Sequence, residues 1–109
     1  MATTYKVLGQ SAPSATTATT LYTVPASTSA VVSTINVCNR DSGSDTFRIA
    51  VRPAGAALAA QHYLAYDVGI PANDSIAVTI GVSLGAGDVL EVYAGSADLS
   101  FTAFGAEIT

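Results

Sequence analysis

The side chains best equipped for chemistry crowd into one stretch, FRIAVRPAGAALAAQHYLAYDVGIP, from Phe47 to Pro71. It holds Arg48, Arg52, the only histidine and two of the five tyrosines. A hydrolytic reading would take His62 as base, Asp67 as its orienting acid and one of the many serines as nucleophile. Such a triad is defined by geometry, and serines are everywhere in this chain. No GxSxG elbow is present. His62 reads instead as a half-exposed strand residue on the face of Leu64, opposite Tyr63. With one histidine and one cysteine the chain is short of transition-metal ligands. Asn39, Asp41, Ser42 and Asp45, and then Asn73 and Asp74, could offer oxygens to calcium. Their spacing lacks the glutamate of an EF-hand loop, and turn formation explains both groups. GVSLGAGD has no lysine and precedes a strand, so it is no phosphate loop. Asp88, Glu91 and Asp98 do not compose a paired-carboxylate site. We assign no catalytic, cofactor or metal residue and expect a protein that is not an enzyme.

Two sets of contact residues are left. Arg48 and Arg52 lie four apart on a strand, on one face and ~13 Å from each other at ~3.3 Å per residue. They cannot grip one carboxylate together, but each could meet an acid of a neighbouring subunit, where arginine is enriched. With Tyr5, Lys6 and Leu8 they are the candidate subunit or capsid interface. His62, Tyr63, Tyr66 and Asp67 are the alternative, exposed aromatics beside polar groups that could hold a glycan.

The elements that must position these residues are strands. The pattern runs over 4–10, 20–25, 30–39, 46–52, 61–67, 75–82, 89–94 and 97–104, separated by turns rich in Gly, Pro, Asn, Asp and Ser. In AVVSTINVCN, Val31, Ile35 and Val37 are expected on the buried face, which leaves Cys38 on the other. In SIAVTIGV, Ile76, Val78, Ile80 and Val82 alternate inward. PAGAALAA, 53–60, is a loop or a single turn. SAPSATTATT, 11–20, is low in complexity and reads as an extended arm or loop, so 1–20 is a possible arm and 21–109 the core. About eight strands at this spacing, without a helix, predict a single-domain all-β sandwich, jelly-roll-like.

The 109 residues suffice for one modest core. Only 11% are charged, against about 25% in an ordinary soluble domain. So bland a surface points to one covered by a partner or by copies of the chain. Eight acids against four bases leave no basic stripe for nucleic acid. All four bases precede residue 63, and beyond it come only acids, an asymmetry that could make complementary patches between subunits. One cysteine permits no internal disulfide. No signal peptide or membrane-spanning run is visible, so synthesis and folding are expected in a cytoplasm.

Several phrases, YKVLGQSAPSATTATTLYTVPA, STINVCNR, FRIAVRPAGA, QHYLAYD, ANDSI and LSFTAFGAEIT, together resemble a group of small virion proteins of tailed bacteriophages, cyanophages among them. The resemblance spans nearly the whole chain and contains no chemical motif. It implies a compact sandwich or jelly roll in the phage particle, made in the host bacterial cytoplasm. The role it implies is a capsid decoration (cement) protein bridging capsomers on the head, or else a tail or tail-fibre module for connection or host-surface binding. The absence of long repetitive shaft sequence favours the head. The partners expected are the major capsid protein and further copies of the chain, as a homotrimer, with 1–20 as the clamp. No cofactor, nucleic acid or membrane is implied.

Overall fold

The structure, a computed structural model, describes residues 2–109. Nine strands follow one another: β1 (Thr3–Ser11), β2 (Thr19–Thr23), β3 (Ser29–Asn39), β4 (Asp45–Arg52), β5 (Tyr63–Ile70), β6 (Ser75–Val78), β7 (Val82–Leu84), β8 (Val89–Ala94) and β9 (Leu99–Ile108). One sheet has the order β1-β9-β3-β6, with β7 also on β3, and the other the order β2-β8-β4-β5. All pairings are antiparallel. The chain changes sheet after β1, β2, β3, β5, β7 and β8. This order, with β6 and β7 as two halves of one strand, is a jelly roll.

Alternation drives the two inner faces together. Phe47 and Ile49 of β4, Leu90 and Val92 of β8, Ile35 and Val37 of β3, and Leu99 and Phe101 of β9 are all buried. Phe47 meets Phe101 edge to face across the sandwich, ring centroids 6.2 Å apart. Each such side chain contributes about 1.5–3 kcal/mol by leaving water.

Simple alternation fails at β-bulges, where an extra residue flips the phase. The β3–β9 register shifts between Val32 and Thr34, so Ser33 is the extra residue. Val32 is therefore buried and Val31 is 38% exposed, against the expectation that Val31 shares the inner face of Ile35 and Val37. On the other side of β9 the β1 register shifts between Val7 and Gly9, with Leu8 extra and packed against the core. The two bulges flank the same point of β9, because Val7 and Thr34 both lie opposite Phe104. Backbones crowd there. A Cβ on Gly105 would overlap the Val31 carbonyl oxygen, and one on Gly9 would overlap that of Leu21.

Three further expectations are corrected. The strand expected over 75–82 is cut at Thr79–Gly81, where Gly81 has φ +61, so Ile80 is 54% exposed. Of the arm expected over 1–20, residues 3–20 are not free, and Met1 lies outside the described residues. Thr3–Ser11 form the edge strand of the first sheet, and the loop after them returns over the second sheet, where Thr16 N–H donates to the Ala94 carbonyl at 2.8 Å. His62 is buried at the end of a 3-10 turn, Ala60–His62, and its Nδ1 accepts the Ala59 N–H at 3.0 Å.

Candidate functional site

The outer face of the second sheet gathers most of the polar residues singled out in the sequence. On β4, Phe47, Ile49 and Val51 point to the core, so Arg48, Ala50 and Arg52 point away from it. Their ladder partners on β8 are Tyr93, Glu91 and Val89. On the other flank β5 is irregular, with Phe47 opposite Val68, Ile49 opposite Ala65 and Ala50 opposite Tyr63. Tyr66 and Asp67 thus face the single residue Arg48. Asp67 has φ +50, a left-handed conformation that aspartate tolerates.

This bulge turns Asp67 onto Arg48. Its two carboxylate oxygens accept from Nε at 2.7 Å and from Nη2 at 3.3 Å. The guanidinium lies between two tyrosine rings, with Cζ 4.1 Å from the Tyr66 centroid and 4.2 Å from that of Tyr93. Asp67, chiefly through its hydrogen bonds, holds Arg48 charged even more firmly than usual. Tyr63 meets Tyr66 edge-on at 4.8 Å. Arg52 donates to the Gly55 and Ala56 carbonyls at 3.0 and 2.9 Å, and its Nε sits 3.3 Å from Glu91 Oε1. Glu91, the out-facing acid of β8, is nonetheless buried, and among the described residues neither its Oε2 nor Arg52 Nε has a hydrogen-bond partner.

Above Ala50 lies an open hollow of about 250 Å³. Arg48, Glu91, Tyr93, Tyr63 and Leu58 line it, together with Thr16 and Ala18 of the returning loop.

The second feature is the outer face of the first sheet. Ala106 lies in register between Tyr5 and Val31, so a small residue separates two large ones. The groove so formed is about 610 Å³ in volume, and Phe104 and Ile108 also wall it. Tyr5 is 85% exposed and Phe104 41%.

The arginines expected to reach acids of a neighbouring subunit meet acids of their own chain. So does Lys6, whose Nζ is 3.1 Å from Glu107. Each of these three basic side chains comes from the first half of the sequence and its acid from the second. The charge asymmetry along the sequence is thus matched within one jelly roll. Of the predicted interface set, Tyr5 has no hydrogen bond or ion pair among the described residues and is the most exposed, whereas Leu8 packs against the core. Of the predicted glycan set, Tyr63, Tyr66 and Asp67 are brought together with Arg48, and His62 is not. Sequence reasoning missed Tyr93 and left Glu91 without a role. Only the strand order, which sets β8 beside β4, reveals them.

Elsewhere, Glu107 accepts from the Tyr22 hydroxyl at 2.6 Å. That bond and then Lys6 hold its carboxyl below the usual range, while burial first and Glu107 second push the Tyr22 phenol up. Asp88 accepts the N–H groups of Ala54 and Gly85, each at 2.8 Å, which lower its carboxyl too. Among the described residues no group of three or more His, Cys, Asp or Glu could hold a metal, and no helix is long and apolar enough to cross a membrane.

No protein-family model matches this chain, and neither a curated protein nor a solved structure matches it significantly.

Proposed function

We propose that this protein is a structural component of a phage virion, a decoration protein that seats the outer face of its five-stranded sheet on the major capsid protein and bridges capsomers. The observation that carries the reading is the apolar groove over Ala106, with Tyr5, Val31 and Phe104 exposed around it. Low overall charge favours the same use, because burying such a face desolvates few ions. Binding the assembled shell and not its separated parts stabilises the shell by mass action. Weak contacts repeated over symmetric copies, as a trimer would provide, multiply that effect. In this reading β1 acts as part of the sheet, presenting Tyr5, and not as a detached clamp.

The test is gold labelling of intact virions with an antibody to this chain, viewed by electron microscopy. Label spread over the head is the expected result. Label confined to the tail would replace the decoration role by that of a tail or tail-fibre module, and unlabelled particles would overturn the virion role altogether. On labelled heads, Tyr5→Ser with Phe104→Ser should reduce capsid occupancy at least tenfold and leave the fold intact, since both side chains are exposed.

A further inference from the structure

The strands of the first sheet carry only two charged residues, Lys6 and Glu107. Lys6 stands opposite Gly105, whose other neighbour is buried Val32, and Glu107 pairs with buried Ala30. Both therefore belong to the sandwich side of the sheet, where they bond to each other. Arg40, Asp74 and Asp98 follow or precede the strands in turns at one end, away from the groove over Ala106. The outer face of this sheet thus presents no Asp, Glu, Lys or Arg, in a chain of net charge −4. Four large apolar side chains stand on it, Tyr5, Val7, Val31 and Phe104, from 38% to 85% exposed.

The edges of the fold are treated differently. β1 has Lys6 and a bulge at Leu8, β2 is five residues long, β5 shifts register twice, and β6 and β7 are parted at Thr79–Gly81. Short, bulged or broken edges discourage pairing with another chain strand by strand. Association is blocked at the edges and left open on one face.

Two properties of the face select its occupant. The first is charge. Chains of like net charge repel, and this face lets two copies meet without bringing any acid against another. The second is size. β9 has ten residues, and at ~3.4 Å per residue and ~4.8 Å per strand the face measures roughly 34 by 19 Å. Its plan area, roughly 650 Å², clears the ~500 Å² per partner that a specific interface needs, but only if the partner is flat and covers all of it. The same face on a second copy is flat, equally long and equally free of charge.

We propose that two free copies of this chain close these faces on each other about a two-fold axis, as a dimer of sandwiches. Such an interface uses the same patch twice and is used up by the pair, so assembly stops at two. The proposal concerns the protein away from any shell and does not need the virion role. On a shell the same face would exchange its copy for the capsid, so dimer and shell binding exclude each other.

The experiment is sedimentation equilibrium of the purified full chain from low to high micromolar concentration. The expected mass rises to twice that of one chain and no further. Tyr5→Lys with Val31→Lys sets like charges against each other across the axis and should weaken the dimer at least a hundredfold. Should that variant not fold, Tyr5→Lys alone replaces it, with at least a tenfold loss expected, since Tyr5 is 85% exposed. Leu58→Ser with Leu64→Ser, on the other exposed apolar patch, should leave the dimer unchanged. A chain that stays monomeric throughout, or that forms trimers or larger species, overturns the proposal. So does a dimer that survives the lysine variants or is broken by the serine pair. Because no virion enters this assay, its outcome is independent of the labelling experiment.

Discussion

Gly105→Ala tests the double bulge around β9, on which the outward aim of Val31 and Phe104 depends. The added Cβ would overlap the Val31 carbonyl oxygen and lie 3.0 Å from both the Val31 carbonyl carbon and Val32 Cα. All three are backbone atoms of a neighbouring central strand, so no side chain can swing aside. Relief requires β3 and β9 to separate locally. Overpacking of this kind costs about 1–3 kcal/mol, and a ladder hydrogen bond lost in the separation adds about 1. The reduced freedom of the unfolded chain returns about 0.4–1 kcal/mol. The expected net loss is roughly 3 kcal/mol, near the top of that range because the strands are central. Urea unfolding followed by far-UV circular dichroism measures it, and the melting temperature should fall by about 12–24 °C at ~4–8 °C per kcal/mol. Gly69→Ala is the control, since a Cβ there meets nothing within 4 Å and the change should be neutral or slightly stabilising. A Gly105→Ala protein within about 0.5 kcal/mol of the parent would refute the close approach and with it the bulge pair.

Arg52→Met strands the Glu91 carboxylate and removes two hydrogen bonds to carbonyls. A fully buried pair broken in this way costs about 3–5 kcal/mol, so with residual exposure of both side chains we expect roughly 3. The double change Arg52→Met with Glu91→Leu should recover most of it in the same urea assay, because no unpaired charge is left behind. Asp88→Asn should cost about 1 kcal/mol near neutral pH by weakening the bonds from Ala54 and Gly85. Asp88 has a folded-state carboxyl lower than its unfolded value, so the unfolded chain binds the extra proton as acid is added. Its contribution is complete above the ordinary carboxylate range and fades as the pH falls through that range toward the folded value. The gap between parent and variant, followed by thermal melts from neutral to acid pH, should therefore close on acidification.

The sandwich is legible in the sequence because strands and turns alternate at a steady spacing, and β8 occurs where VLEVYA places it. What escapes is phase. An extra residue in a strand leaves the local pattern plausible, so AVVSTINVCN reads with Val31 inward although Ser33 shifts the phase and buries Val32. Ile80 continues a regular alternation on paper, yet its strand breaks at Gly81 where β7 and β6 pair with two separate stretches of β3. The polar residues Arg48, Tyr63, Tyr66 and Asp67 stand out by type. That Asp67 turns to Arg48, and that Tyr93 and Glu91 complete the group, follows from bulges and strand order, which alternation does not encode. The charge asymmetry was visible, but whether it is satisfied within a chain or between chains depends on which strands become neighbours.

The order of the strands also sets the order in which they can form. β9 lies between β1 and β3 in its sheet, and it is the last of the nine to be made. Until it emerges, β1 has no hydrogen-bonding neighbour and β3 has one bare side, facing the gap that β9 will fill. The other sheet is in a similar position, since β8 must arrive before β2 can join β4. Both sheets therefore wait on the final third of the chain, and no long hairpin of the first sheet can form early as a stable seed. Pairings so distant along the chain close slowly. Bare strands held open for that interval can pair with strands of other nascent chains. Production of the protein should be most vulnerable to clumping while the last two strands are being added, and slower synthesis or cooler growth would change the yield of folded chains more than the stability of the finished jelly roll would suggest.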